Sequence, residues 1–144
     1  MRQVRRTALV AHSAEQMFDL VDDVSSYPEF LPWCSDAVEH ERSLEEVHAT
    51  LELNKGGVSK RFTTRNVRER GESLEMQLVD GPFSHLHGVW LFESLGPDGS
   101  KVSLNIDFEF ANVMVGMMFG AFFEQTCNSL VDAFIQRADD VFGD

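Results

Sequence analysis

Cysteine is scarce in this 144-residue chain: Cys34 and Cys127 are its whole complement, with no Cys-x-x-Cys spacing. A disulfide framework and a thiolate zinc site are thereby excluded, and both residues are read as reduced thiols. Basic charge is short as well, with 12 Lys and Arg against 24 Asp and Glu and a net charge of −12. Nucleic-acid binding draws much of its affinity from cations that neutralise phosphates, so direct DNA binding is not expected. The cations that exist gather at Arg2, Arg5 and Arg6 and at Lys60, Arg61, Arg65, Arg68 and Arg70. On a strand, Arg61 and Arg65 share one face while Lys60, Arg68 and Arg70 take the other. That pattern reads as a solvated strand, with contact to an anionic ligand or lipid headgroup as the sharper alternative.

Long apolar runs are missing too. Residues 113–123 form the longest, broken by Gly116 and Gly120; it is about half of the ~20 residues that a membrane span requires. It cannot cross a bilayer but can touch one, through Met117, Met118, Phe119 and Phe122. The apolar stretch near the N-terminus, residues 8–11, is too short for a secretory signal. A cytoplasmic location is the expectation, with transient contact at the inner membrane surface. Chemistry-bearing motifs are equally sparse. There is no Gly-rich phosphate loop or nucleophile elbow. His12, His40, His48, His85 and His87 form no catalytic set and read as solvent-exposed loop residues. His85 and His87 share a strand side but lack the carboxylate or cysteine partners of a metal site. No catalytic residue, metal or required cofactor is assigned.

What the chain has in quantity is Phe, 12 residues, and Met, 6. Residues 3–11 read as a strand. Ser13 with Gln16 forms a capping box that opens a short helix with Met17, Phe18, Leu20 and Val21 on its apolar side. A second helical turn is expected from Ser25 or Ser26, with Pro28 near its start and Pro32 ending it. From Asp36 the period changes to two. Val47, Ala49, Leu51 and Leu53 alternate with polar residues, Gly56-Gly57 turns the chain, residues 62–68 return, and Leu74, Met76 and Leu78 follow. Residues 87–95 and 101–110 bracket a Gly96-Pro97-Asp98-Gly99 turn, and Val102, Leu104, Ile106, Phe108 and Phe110 point one way along the second of them. Beyond Asn112, Phe119, Phe123, Cys127, Leu130, Phe134, Ala138 and Val141 recur at helical spacing. The order is strand, two short helices, about six strands and one long helix. This is an α+β arrangement with one sheet face covered, expected as a single domain over residues 1–144. Periodicity leaves open whether the space between sheet and helix is a cavity or a filled core.

Three stretches carry a resemblance: Tyr27-Pro28-Glu29-Phe30-Leu31-Pro32-Trp33-Cys34; Asp80-Gly81-Pro82-Phe83 with Leu86, Gly88, Trp90 and Phe92; and Asp132-Ala133-Phe134 with Arg137-Ala138. In this order, and nearly end to end, they resemble the signature of the coenzyme-Q-binding START-like family. Its bacterial members are often named ribosome-association toxins and its mitochondrial members bind quinone in support of respiration. The wider fold includes polyketide cyclases and lipid-transfer domains. The resemblance implies a helix-grip fold, a curved antiparallel sheet wrapped around a long C-terminal helix. It further implies a hydrophobic small-molecule ligand of the ubiquinone type, with a ribosomal subunit as the alternative partner and cyclase-like catalysis as a third reading. The segment Tyr27, Phe30, Leu31 and Trp33 is then either a pocket lid or a plug of the core. Trp90 is the foremost ligand contact, with Phe92 on the same strand face; the competing register turns Val89 and Leu91 inward instead. Phe62, Phe83, Leu104 and Phe108 from the sheet, with Phe119, Phe123 and Cys127 from the helix, complete the expected lining. For the cyclase reading, Arg65, Asn66 or Asn105 would have to reach the cavity and polarise a carbonyl.

Overall fold

The structure, a computed structural model, describes residues 1–143. Its first strand, β1 (Arg2–Val10), runs into a helix, α1 (Ala14–Asp22), whose start is set as the sequence predicts. The Ser13 hydroxyl accepts from the Gln16 amide at 3.1 Å and the Gln16 side chain accepts from the Ser13 amide at 3.1 Å. This reciprocal pair satisfies donors that a helix end otherwise leaves bare. A 3₁₀ turn, Val24–Glu29, follows; it begins a residue or two early and holds Pro28 near its end rather than its start.

Six strands then form a meander: β2 (Cys34–Arg42), β3 (Glu46–Lys55), β4 (Val58–Glu69), β5 (Ser73–Asp80), β6 (Phe83–Ser94) and β7 (Ser100–Phe110). All neighbours pair antiparallel in the order β1-β7-β6-β5-β4-β3-β2. Register slips in β2, between Thr63 and Thr64 of β4 and between Phe83 and His85 of β6 mark bulges, which bend a sheet. Strand β6 starts four residues before the alternation becomes legible, because its first residues straddle that bulge.

The period-two pattern assigns the faces as expected. Val102, Leu104, Ile106 and Phe108 are buried, and Trp90 and Phe92 face inward while Leu91 is 45% exposed, which settles the register of β6. Gly81 turns between β5 and β6 at φ +144°, and a Cβ there would stand 2.6 Å from the Phe62 Cβ, so only glycine fits. The long helix α2 (Val113–Phe142) is capped by Asn112, whose side-chain oxygen accepts from the Met114 and Val115 amides at 2.8 and 3.3 Å. Its stripe Phe119, Phe123, Cys127, Leu130, Phe134 and Ala138 is buried on the sheet. Val141, expected in that stripe, is 51% exposed; at the helix's last turn it faces away from the packed surface.

α2 packs directly on β1 and β7 and stands away from β3, β4 and β5. α1 lies across β5, β6 and β7 and packs against α2. No helix among the described residues is long and apolar enough to cross a membrane.

Candidate functional site

Where α2 leaves the sheet, the inner faces of β3 to β7 and one side of the helix enclose a cavity of about 60 Å³. Its floor is Ala49 and Leu51 of β3, Phe62, Thr64 and Asn66 of β4, Met76 of β5, Leu86 and Trp90 of β6 and Ile106 of β7. Phe123, Thr126, Cys127, Leu130 and Phe134 of α2 form the roof, and Val24, Tyr27 and Trp33 close one end. Gly88 keeps this floor open: a Cβ at that point would meet the Met76 methyl at 2.5 Å and Ile106 Cγ1 at 3.3 Å.

Of the residues expected to line a pocket, Tyr27, Trp33, Phe62, Trp90, Phe123 and Cys127 do so. The others serve the core. Phe92 points inward but lies past the cavity, edge-on to Phe18 of α1 with ring centres 5.5 Å apart. Phe83 and Phe108 are knitted with Phe110 and Phe123 into an aromatic cluster, Phe83 and Phe110 stacked at 4.5 Å and Phe108 edge-on to Phe123 at 4.8 Å. Leu104 is fully buried on β7, which α2 covers directly. Phe119 is 0% exposed and tilted against Phe110, so it contributes neither to the cavity nor to a surface patch. Leu31 is buried as a plug, and Phe30 sits between Phe134, 5.3 Å away, and the Arg137 guanidinium, 4.9 Å from its ring. The segment at residues 27–34 is thus divided: Tyr27 and Trp33 face the cavity, Phe30 and Leu31 fill space beside it.

The lining residues not singled out from sequence include Thr64, Met76, Ile106, Thr126, Leu130 and Phe134. Their signal was parity with Phe62, Leu74, Trp90 or the helix stripe, which places a side chain on the inner face without saying that the helix stands off there. Among the three polar candidates for carbonyl polarisation, only Asn66 reaches the cavity. Arg65 points to the outer face, where it binds Gln77 and Glu46 at 2.8 and 2.5 Å, and Asn105 also lies outward. Thr64 donates to Asn66 Oδ1 at 2.8 Å.

The lining holds no Asp, Glu, His, Lys or Arg. Its two weak acids are pushed out of reach of neutrality, Tyr27 by burial and then by the nearby Asp22 charge, and Cys127 by burial. The Tyr27 hydroxyl donates to the Val21 carbonyl. Cys34 lies outside the lining, its thiol pushed up to about 11 by burial. The histidines are not uniformly exposed loop residues. His12 is 5% exposed and 2.7 Å from Asp139 of α2, while His87 on β6 faces Glu75 at 2.7 Å. Among the described residues no group of three or more His, Cys, Asp or Glu could hold a metal ion. Outside the cavity, Val113, Met114 and Met117 stand 78–82% exposed at the start of α2.

A family model described as polyketide cyclase/dehydrase and lipid transport matches residues 10–135. The ribosome association toxin RatA of Pseudomonas aeruginosa is 47% identical over 140 residues, covering 97% of each chain. The mitochondrial coenzyme Q-binding protein COQ10 homolog B of Xenopus laevis is 28% identical over 139 residues, which are 94% of this chain and 57% of that one. Among solved structures, the Zhui aromatase/cyclase of Streptomyces sp. R1128 superposes with a TM-score of 0.82 at 19% identity, over 96% of this chain and 93% of that one. That last likeness speaks for the fold.

Proposed function

The chain belongs to the polyketide cyclase/dehydrase and lipid-transport family, within its START-like helix-grip group, and from that membership we propose that it binds an isoprenoid quinone between sheet and α2 as a carrier or chaperone. The observation that carries this reading is the uncharged, aromatic-rich lining left where α2 stands off β3, β4 and β5. A quinone ring is flat and neutral and suits the faces of Trp90 and Phe123; a prenyl tail gains free energy from burial alone. The magnitude of the cavity adds a condition. At about 60 Å³ it is smaller than the ~150 Å³ that accommodates benzene. Binding therefore includes an outward movement of α2 or of the 27–34 segment, and Met76 can adapt its shape to the ligand. The exposed methionines at the start of α2 offer a contact with the inner membrane, from which such a molecule is collected on the cytoplasmic side.

The test is native mass spectrometry and organic extraction of protein purified from a quinone-producing host. A stoichiometric isoprenoid quinone is expected. An empty protein that also fails to take up added quinone overturns the reading.

Relatives named ribosome association toxins, 43–47% identical over nearly the whole chain, favour a second reading, a partner on a ribosomal subunit. With a net charge of −12 the contact would fall on ribosomal protein rather than RNA. Co-sedimentation with ribosomal subunits at low salt is the expected sign, and its absence counts against it. Cyclase-like turnover draws less support, since the lining offers no group that titrates near neutrality.

A further inference from the structure

Trp33 occupies two places at once. It lines the buried cavity, and with Thr126 it also lines an outer groove formed by Pro32, Asn54, Lys55 and Phe122. These two residues are therefore the partition between the interior and the surface. The backbone holds Trp33 in place: its carbonyl accepts from the Asn54 amide at 2.8 Å, and the next residue's amide bonds to the Leu31 carbonyl at 3.0 Å. The residue is 8% exposed, and its indole N–H is the single buried side-chain nitrogen or oxygen among the described residues without a hydrogen-bond partner. Within the lining, Thr64 donates to Asn66 and Tyr27 to the Val21 carbonyl.

A buried donor left unmatched costs free energy that a matching acceptor returns. On the quinone-binding reading above, we propose that Trp33 is the specificity-determining residue of the site, donating its indole N–H to a ring carbonyl oxygen of the ligand at the cavity mouth. The chemistry defines the acceptor. An indole N–H only donates, so the ligand atom it meets has to accept. No cation lines the cavity to balance a carboxylate or phosphate, and a buried unpaired charge is strongly disfavoured. A neutral carbonyl meets both conditions.

Trp33→Phe keeps an aromatic ring and removes the donor. Two probes separate hydrogen bonding from packing: a fully methylated decyl-benzoquinone, and the hydrocarbon of the same ring substitution and tail that lacks both oxygens. Calorimetry is expected to show quinone affinity reduced about 5- to 30-fold in the variant, with hydrocarbon affinity unchanged. Equal affinities for the quinone, or a parallel loss for both probes, overturns the proposal. A second measurement needs only the wild-type chain, whose two tryptophans give two indole signals in a nitrogen–proton correlation spectrum. The Trp33 signal should move downfield with the quinone and not with the hydrocarbon. A Trp33 signal indifferent to bound quinone sinks the assignment while leaving the binding reading intact; wild-type protein that binds neither probe removes both.

Discussion

Arg68 of β4 grips Asp22 at the end of α1 with two bonds, Nε to Oδ1 at 2.7 Å and Nη2 to Oδ2 at 2.8 Å. Both side chains are about one-tenth exposed, and the Arg68 guanidinium also lies 5.5 Å from the Phe18 ring. Arg42 of β2 adds a third bond to the same carboxylate at 2.7 Å. One acid thus fastens the end of α1 to both β4 and β2. Asp22→Ala leaves two cations facing a vacated partner, one of them buried. A loss of about 3–5 kcal/mol in urea unfolding is expected; a loss under about 1 kcal/mol would show that the pair is only decorative.

Trp90 is 2% exposed and edge-on to Phe134 at 5.4 Å. Trp90→Ala should cost about 3–5 kcal/mol, so it reports on packing before it reports on a ligand. Trp90→Phe is the informative change. Calorimetry should find quinone affinity several-fold weaker in a domain that still melts cooperatively, and unchanged affinity would remove Trp90 from the contact set.

Gly88→Ala pushes the Met76 methyl toward the cavity, since that methyl lies 2.5 Å from where the new Cβ would stand. Because a thioether end moves readily, stability should change by less than about 1.5 kcal/mol while ligand affinity falls. A variant with wild-type affinity would mean that the ligand does not use the space beside Met76.

Met114→Ser combined with Met117→Ser alters residues 78% and 82% exposed, so the melting temperature should stay within about a degree or two. Affinity for detergent-presented quinone should hold, while uptake from neutral vesicles slows. Equal uptake rates would dissociate these methionines from membrane contact.

On the outer sheet face, hydrogen bonding from Arg65 and then His48 holds the Glu46 carboxyl below its usual range, and hydrogen bonding to His87 does the same for Glu75. A depressed carboxyl stabilises the fold above its ordinary pKa of ~4.3 and loses that contribution as pH falls through the folded value. Both side chains are a third or more exposed, so the effect is modest. The double variant Glu46→Gln, Glu75→Gln should flatten the acid limb of melting temperature against pH and leave the limb above about pH 6 parallel to wild type. An unchanged acid limb would place the acid sensitivity elsewhere.

The fold was largely legible because its cues are local. Ser13 and Gln16 announce α1, the Val102-to-Phe108 alternation fixes the face of β7, and the 119–138 stripe fixes that of α2. The site was legible only in part. Periodicity says that Phe92, Leu104 and Phe108 face inward, yet which of them meet open space depends on where α2 parts from the sheet, a relation between distant elements. His12 illustrates the same limit: it is buried, and its partner Asp139 lies 127 residues away. The boundary of β6 was obscured by its bulge, where the alternation slips.

The strand order has a bearing on how the molecule is made. Strands β2 through β7 pair with their immediate sequence neighbours, but β1 waits for β7, with Arg2 opposite Phe108. During synthesis the meander can zip up hairpin by hairpin, while the first strand is left without its partner until β7 has emerged. The roof of the cavity comes later still, because α2 follows β7. For that interval the greasy inner face lies bare, the stage of synthesis at which the chain is most prone to aggregate.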